Sequence, residues 1–472
     1  MDRIRLKNAR CFLLPINVIL GILLGLYGLL CTENGVSLKH ASTVISVLSL
    51  GLICLQFKQL KYMNVKLISA IGAFLVGCNL FSFGEFYVCF AGHEDLLVYP
   101  TWFSTNMVMK YRTGFYMLAA IQLAFAGVLA YFSFAEKSLK TKTYVRELTD
   151  TQWIKIGAIF LLIGLPCRIY WDYLNIRLGS SSNMYSGGAS VSGLLDDFQI
   201  FFIPGLICFL HGFRSNKAFV LSCMGLVMVM EVLVMASSGN RRLYITSLVG
   251  LVFYYYYEYP WKQHAKWKII FLGVLGMVVL NYIELIRKFR FVGLGANFFS
   301  AISFTDLFSL NFLWDSLAEF GLTSHAIYYD FLYLTSAADF YYGKTFLTAV
   351  IYIAPIGFII NVNKQAASII ERVSGSAVGG SMINDLFVNW GWYGLMFAPF
   401  IGYFIARLSY RPVERGKINF ENMYMFFVFP MVLGYARGDI YEVLRPATYI
   451  FILFYICTKF LCRPHLIKRE AD

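Results

Sequence analysis

The chain has 472 residues, of which 58% are hydrophobic, 18% aromatic and only 14% charged. A soluble domain carries about 25% charged residues, so this chain lacks the polar side chains to cover a soluble fold of its size. The composition excludes a soluble enzyme, a disordered protein and a coiled coil. The net charge of +13 does not indicate a nucleic-acid binder, because the cations lie between long apolar runs. The chain is therefore predicted to be an all-α polytopic membrane protein.

Twelve apolar stretches are long enough to be membrane-spanning helices, each of which needs about 20 residues. They lie at about 11–31, 41–57, 67–83, 113–135, 153–173, 194–213, 218–237, 243–259, 269–286, 391–409, 420–436 and 446–461. The first is interpreted as an uncleaved helix, because its apolar run is longer than that of a signal peptide.

Lys and Arg residues predict the orientation, since most of the 40 fall on alternate loops. This pattern places both termini in the cytoplasm. A further apolar run at 346–360 is predicted not to cross, because a thirteenth crossing would move the basic loop 407–417 and the basic tail 463–469 outside. Pro355 and Gly357 favour a re-entrant or interfacial segment there.

The predicted organisation therefore has three parts. Residues 1–286 hold helices one to nine with short loops, and residues 287–390 form a long external segment with short helices. Residues 391–472 hold helices ten to twelve and a cytoplasmic tail.

Arginines on the predicted outer face run against the positive-inside rule and need a reason. Three clusters at helix ends are predicted to bind a diphosphate headgroup, because guanidinium groups make bidentate phosphate contacts. The clusters comprise Arg241, Arg242, Arg287, Arg290, Arg437 and Arg445. For any single arginine, pairing with lipid phosphates or a neighbouring carboxylate is the alternative.

Glu231 lies inside the seventh predicted span, ten residues before Arg241. An ionisable residue at that depth indicates either a functional group or a structural pair with a neighbouring helix. The sequence favours neither alternative.

The long external segment contains candidate acid/base groups. Residues 310–320 have helical spacing, with apolar residues on one face and Glu319 on a neighbouring one. His325 follows a turn predicted at Gly321. Carboxylates and an imidazole supply general acid/base chemistry, whereas a solvated helix edge is the alternative.

No nucleotide-binding, serine hydrolase or zinc protease motif is present, and no Cys/His pair has metal-ligand spacing. The prediction is therefore that no cofactor and no metal take part.

Several segments together resemble a known family. They are the turn 238–242, the external segment with Pro355 and Lys364, the Gly-Gly-Ser-Met-Ile-Asn-Asp stretch that opens 379–394, and Arg-Gly-Asp at 437–439. In this combination the chain resembles the Wzy-type oligosaccharide repeat-unit polymerases of bacterial O-antigen and capsule synthesis. It departs from the family at Asp385, where glutamate is more common.

The resemblance implies a membrane glycosyltransferase on the outer face of the bacterial cytoplasmic membrane. It would transfer a growing glycan from undecaprenyl diphosphate to a new lipid-linked repeat unit. The implied partners are undecaprenyl-diphosphate-linked glycans and membrane lipids, with flippase and chain-length regulator proteins as further candidates. No nucleic acid is expected.

Four residues are candidates for catalysis. His325 is predicted to be the general base, because the ordinary pKa of histidine lies near neutral pH. Asp439 is predicted to orient Arg437. Glu319 and Asp385 are the further acid/base candidates, and the shorter side chain of Asp385 weakens its case.

Two other membrane proteins share the predicted layout. A lipid-linked oligosaccharide flippase would carry charges along a central cavity and show an internal repeat, neither of which is seen. An O-antigen ligase, which also has a long external loop, is closer. Both remain alternatives to the polymerase.

Overall fold

The computed structural model describes residues 2–31, 36–97, 106–139, 144–178, 197–238, 242–259, 311–334, 336, 339–354, 380–411, 413, 415–462 and 465–468. The predicted ninth span, Arg241, Arg287 and Arg290 lie outside these residues. Arg242 is described only by its backbone, as the first residue of a helix.

The described chain is almost entirely helical. In chain order the helices are α1 (Asp2–Leu30), α2 (Leu38–Tyr62), α3 (Ala70–Phe90), α4 (Met107–Leu139), α5 (Asp150–Leu178), α6 (Phe202–Gly212), α7 (Lys217–Ser238), α8 (Arg242–Glu258), α9 (Asn311–Gly321), α10 (Thr323–Tyr333), α11 (Lys344–Ile351), α12 (Met382–Trp390), α13 (Ala398–Ser409), α14 (Phe420–Tyr435) and α15 (Tyr441–Ile456). The last continues as a π-helical turn to Leu461.

Seven of the described helices are long and apolar enough to cross a membrane. They are Phe12–Leu30, Leu38–Tyr62, Ala70–Phe90, Met107–Phe134, Asp150–Ile176, Lys217–Met235 and Tyr441–Leu461. Each overlaps a predicted span. The predicted spans at 194–213, 243–259, 391–409 and 420–436 contain helices of only 11, 17, 12 and 16 residues. The count of twelve therefore stays a prediction.

A small antiparallel sheet departs from the all-helical prediction. Strand β1 (Tyr144–Glu147) follows α4, strand β2 (His465–Lys468) follows α15, and Tyr144 pairs with Lys468. The pairing places the α4–α5 connection and the C-terminal tail side by side, at the end of α4 that is remote from Met107. Short strands between apolar helices carry no hydropathy signal, which is why the sequence did not indicate them.

The run at 346–360 is described only in its first part. Helix α11 has eight residues, which is about 12 Å at 1.5 Å per residue, and a turn follows at 352–354. A helix of this length is too short to cross the hydrocarbon core, which is about 30 Å thick. Residues 355–360 lie outside the described part, so the re-entrant interpretation remains a prediction.

Helix α3 lies at the centre of the site described below because two of its glycines permit close helix contacts. A Cβ atom at Gly84 would lie 2.1 Å from the carbonyl oxygen of Leu317 on α9. In the same contact, a Cβ atom at Gly321 would lie 2.3 Å from the backbone nitrogen of Glu85. Only residues without a Cβ atom allow the two backbones to approach this closely. The second of these glycines on α3 is Gly77. A Cβ atom there would lie 2.9 Å from the Cβ atom of Ala436, which belongs to the turn after α14.

Candidate functional site

His325 meets a carboxylate from the first half of the chain. Its Nε2 atom lies 2.9 Å from Oε1 of Glu85 on α3, and both side chains are fully buried. The Gly84–Gly321 contact explains the meeting, because Gly321 ends α9 against Glu85 and α10 begins two residues later. The helix predicted at 310–320 is confirmed, and the turn predicted at Gly321 lies one residue later, at Leu322.

A hydroxyl and an amino group complete this histidine cluster, which we define as Glu85, His325, Ser324 and Lys110. The hydroxyl of Ser324 donates to Oε2 of Glu85 at 3.2 Å. Lys110, at the start of α4, is buried with its Nζ atom 4.7 Å from the ring centre of Tyr328. Ser324, His325, Lys110 and Tyr328 line one small cavity.

Sequence reasoning missed Glu85. The third span was predicted to end at residue 83, which left Glu85 in a loop, whereas α3 continues to Phe90. The signal that could have found it is the lone carboxylate in Phe-Gly-Glu-Phe at 83–86, within an otherwise apolar stretch. The rule applied to Glu231 applies equally to this residue.

A second group of buried side chains lies along α10, α12 and the turn after α14. We define this acid cluster as Asp330, Asn384, Asp385 and Asp439, each at most 3% exposed. The amide of Asn384 donates to Asp330, and the backbone N–H of Ile440 donates to Oδ2 of Asp385 at 2.9 Å. Asp385 therefore anchors the turn that contains Arg437 and Asp439.

Burial gives two of these carboxyl groups perturbed acidity. Burial raises the pKa of Asp330 well above its ordinary value, with the amide of Asn384 acting in the opposite direction. Burial also raises the pKa of Asp385, and the neighbouring carboxylate of Asp439 raises it further. Both effects favour the protonated form, because a charge is costly in a buried site and beside a like charge.

Helix capping within the Gly-Gly-Ser-Met-Ile-Asn-Asp stretch positions the residues of the acid cluster that lie on α12. The hydroxyl of Ser381 accepts the N–H of Asn384 at 3.1 Å, which starts α12. Asn389 donates to the hydroxyl of Thr345 at 2.6 Å and so ties α12 to α11. Gly391 has φ +56°, a conformation that favours glycine, and ends the helix.

Arg437 lies against α3, the helix that carries Glu85. Its guanidinium is 5.7 Å from the ring centre of Phe81, which precedes Glu85 by one turn of α3. The contact between Gly77 and Ala436 brings this turn onto α3. Arg437 is half-buried, so it lies at the edge of the site.

Two other arginines, Arg445 and Arg168, have carboxylate partners within the protein. Arg445 forms an ion pair with Asp197 and lies between the rings of Tyr441 and Tyr449. Arg168 contacts Glu231 at 2.6 Å in a buried ion pair. Of the two alternatives for Glu231, this contact favours a structural pair with a neighbouring helix.

The predicted site residues are thus brought together only in part. Asp385 and Asp439 are neighbours, and Arg437 belongs to the turn that Asp385 anchors. His325 is on α10 with Asp330, five residues away. Glu319 lies half-buried on α9. Within the described part of the chain, no group of three or more His, Cys, Asp or Glu residues is arranged to hold a metal ion.

Comparison with known proteins gives one match. The sequence model of a family described as O-antigen polysaccharide polymerase Wzy matches residues 13–469, nearly the whole chain. No curated protein and no solved structure matches the chain.

Proposed function

Since this chain belongs to the O-antigen polysaccharide polymerase family Wzy, we propose that it lengthens a surface glycan while the glycan is attached to undecaprenyl diphosphate. The donor is the growing chain on one lipid diphosphate. The acceptor is the terminal sugar of a new lipid-linked repeat unit. The family match over nearly the whole chain is the observation that carries this proposal.

The reaction needs one proton acceptor and one anion-stabilising group. The acceptor hydroxyl oxygen forms a bond to the anomeric carbon of the donor, and the bond from that carbon to the diphosphate oxygen breaks. The imidazole of His325 takes the hydroxyl proton, and undecaprenyl diphosphate leaves with the bonding electron pair. Arg437 lies over the ring of Phe81, which precedes Glu85 by one turn of α3, and this placement supports its role in stabilising the leaving diphosphate.

Location on the outer face has support from the strand pairing. The β1–β2 sheet joins the segment after α4 to the C-terminal tail, and both segments are rich in Lys and Arg. Basic segments favour the cytoplasmic side. The histidine cluster lies near the opposite end of α4, because Lys110 and the sheet are separated by almost the full length of that helix. The cluster therefore belongs to the outer side in this proposal.

A deletion strain tests the proposed function against its rivals. We expect lipopolysaccharide from this strain to carry a single repeat unit, because flipping and ligation continue without polymerisation. Absence of any repeat unit would indicate a flippase, and unattached polymer would indicate a ligase. The purified full-length protein, supplied with a defined undecaprenyl-diphosphate-linked repeat, should release undecaprenyl diphosphate as chains lengthen.

A further inference from the structure

The partner of His325 determines which of its nitrogens is able to accept a proton. We propose that Glu85 is a positioning residue for the polymerase reaction, holding His325 in the tautomer whose proton is on Nε2 and whose lone pair is on Nδ1. The inference rests on the proposed function for its catalytic consequence, whereas the tautomer itself is a property of the folded protein.

The hydrogen-bond geometry supports this assignment. Nε2 of His325 lies 2.9 Å from a carboxylate oxygen of Glu85. An ionised carboxylate only accepts hydrogen bonds, so the nitrogen facing it must carry the proton. The neutral imidazole then keeps its lone pair on the other nitrogen, Nδ1. This is the logic of carboxylate–histidine pairs in general acid/base catalysis.

Two further neighbours of Glu85 hold its carboxylate in place. Ser324 donates to the second carboxylate oxygen, Oε2, at 3.2 Å. The amino group of Lys110 lies close enough to interact electrostatically with Glu85. Hydrogen-bond donors therefore face both carboxylate oxygens, His325 at Oε1 and Ser324 at Oε2. These two contacts fix the carboxylate relative to the imidazole ring.

Helix packing makes the contact specific. The Gly84–Gly321 approach fixes the distance between α3 and the start of α10, and it leaves no space for a side chain at either glycine. The rings of Phe81 on α3 and Phe320 on α9, 5.3 Å apart, pack beside this contact. The carboxylate thus lies on a packed helix, as an orienting group requires.

The tautomer can be measured without any activity assay. We would label the full-length protein with ¹⁵N at its histidine imidazoles and record solid-state NMR spectra at pH 8. The His325 signals are identified by their loss in His325→Gln. We expect Nε2 to be protonated and Nδ1 to be unprotonated, with a mixture of tautomers in Glu85→Leu. A proton on Nδ1 in the wild type, or an unchanged spectrum in Glu85→Leu, would overturn the proposal.

Turnover of a lipid-linked repeat gives the second readout. Glu85→Gln should lower kcat by about 10²-fold or more with little change in KM, because loss of an orienting carboxylate disfavours the reactive tautomer. In the His325→Gln background the same substitution should add no further loss, because the two residues act as a unit. Glu94→Gln, at an exposed carboxylate near the end of the same helix, is the matched control.

The two proposals fail in different ways. If the wild type never lengthens the glycan, the proposed function is wrong, and the NMR experiment still tests Glu85. If the wild type is active and Glu85→Gln retains full kcat, the positioning role is wrong and the function stands. Additive losses in the double variant would show that Glu85 acts independently of His325.

Discussion

Two buried glutamates on different helices have different partners, one an arginine and the other a histidine. Glu231 on α7 contacts the guanidinium of Arg168 at 2.6 Å, and each side chain is 4% exposed. That guanidinium also contacts Asp172 at 3.1 Å and lies over the ring of Tyr244. Glu85 on α3 contacts an imidazole at 2.9 Å, beside a cavity.

The difference lies in what each base does with a proton. A guanidinium stays protonated in proteins, so the Arg168 pair neutralises charge and joins helices without exchanging protons. An imidazole gains and loses a proton near neutral pH. A buried carboxylate is therefore a weak indicator of function by itself, and its partner determines its role. The arginine partner favours a structural role for Glu231, whereas the imidazole partner favours a role in the proposed chemistry for Glu85.

The largest expected effect is on turnover, and it tests whether the imidazole paired with Glu85 takes part in the reaction. His325→Gln should lower turnover by about 10²- to 10⁴-fold, the usual contribution of a general base. The measurement is the rate of undecaprenyl diphosphate release by the purified protein. His40→Gln, which changes an exposed histidine, should leave the rate unchanged. Retention of most of the turnover by His325→Gln would remove histidine from the mechanism and direct attention to Glu319 and Asp385.

The next largest expected effect is on stability, and it tests whether the pair of Arg168 and Glu231 is structural. Arg168→Ala should destabilise the protein by about 3–5 kcal/mol, because it leaves the buried carboxylate of Glu231 without its cation. The double variant Arg168→Met/Glu231→Leu should recover most of that loss. Thermal unfolding in detergent measures both. Turnover per folded molecule should stay near the wild-type value in the double variant, and a large loss there would place Glu231 in the site.

A third substitution tests the helix contact that brings Glu85 to His325. In Gly321→Ala the new Cβ atom would lie 2.3 Å from the backbone nitrogen of Glu85, so α3 and α9 must separate. Overpacking of this kind costs about 1–3 kcal/mol, and we expect turnover to fall as well because the hydrogen bond lengthens. Gly51→Ala is the control, because its Cβ atom would meet no other atom within 4 Å. Equal behaviour of the two variants would contradict the proposed contact.

The sequence predicted individual helices better than their neighbours. Composition and apolar run length identified the seven long helices, and periodicity identified α9. Neither signal shows which helices approach each other, because that depends on glycines such as Gly84 that look unremarkable in an apolar run. The pairing of Glu85 with His325 spans 240 positions in the chain and was invisible for this reason.

The arginines illustrate the same limit. Placement near predicted helix ends grouped Arg437 with Arg445, yet one lies against Phe81 and the other is paired with Asp197. Cation type and approximate depth were readable from the sequence. The sequence did not show which carboxylate each guanidinium contacts, because that depends on helix packing. Diphosphate binding by the six arginines stays a prediction.

The smallest expected effect on turnover is that of Asp385→Asn, which tests whether a buried carboxyl group of the acid cluster is structural or takes part in the reaction. Its Oδ2 atom accepts the backbone N–H of Ile440 and thereby holds the turn that carries Arg437. If this is its whole role, Asp385→Asn should keep nearly full turnover, because an amide oxygen accepts the same hydrogen bond. Asp385→Ala should lose about 1–3 kcal/mol of stability, because the buried N–H has no acceptor. A strong loss of turnover in Asp385→Asn would instead make Asp385 an acid/base group.

The wild type and Asp385→Asn should also differ in how their thermal stability depends on pH. Burial and Asp439 raise the pKa of Asp385 in the folded protein above its value in the unfolded chain, which is about 3.9. The stabilisation from its protonated form is therefore complete below the unfolded value and is lost as pH rises through the raised folded value. Thermal stability of the wild type should thus decrease toward alkaline pH. Asp385→Asn should show a shallower decrease, because its side chain stays neutral, and Asp330 should account for part of the remainder. Parallel stability curves for wild type and Asp385→Asn would show that this carboxyl group is already ionised in the folded protein.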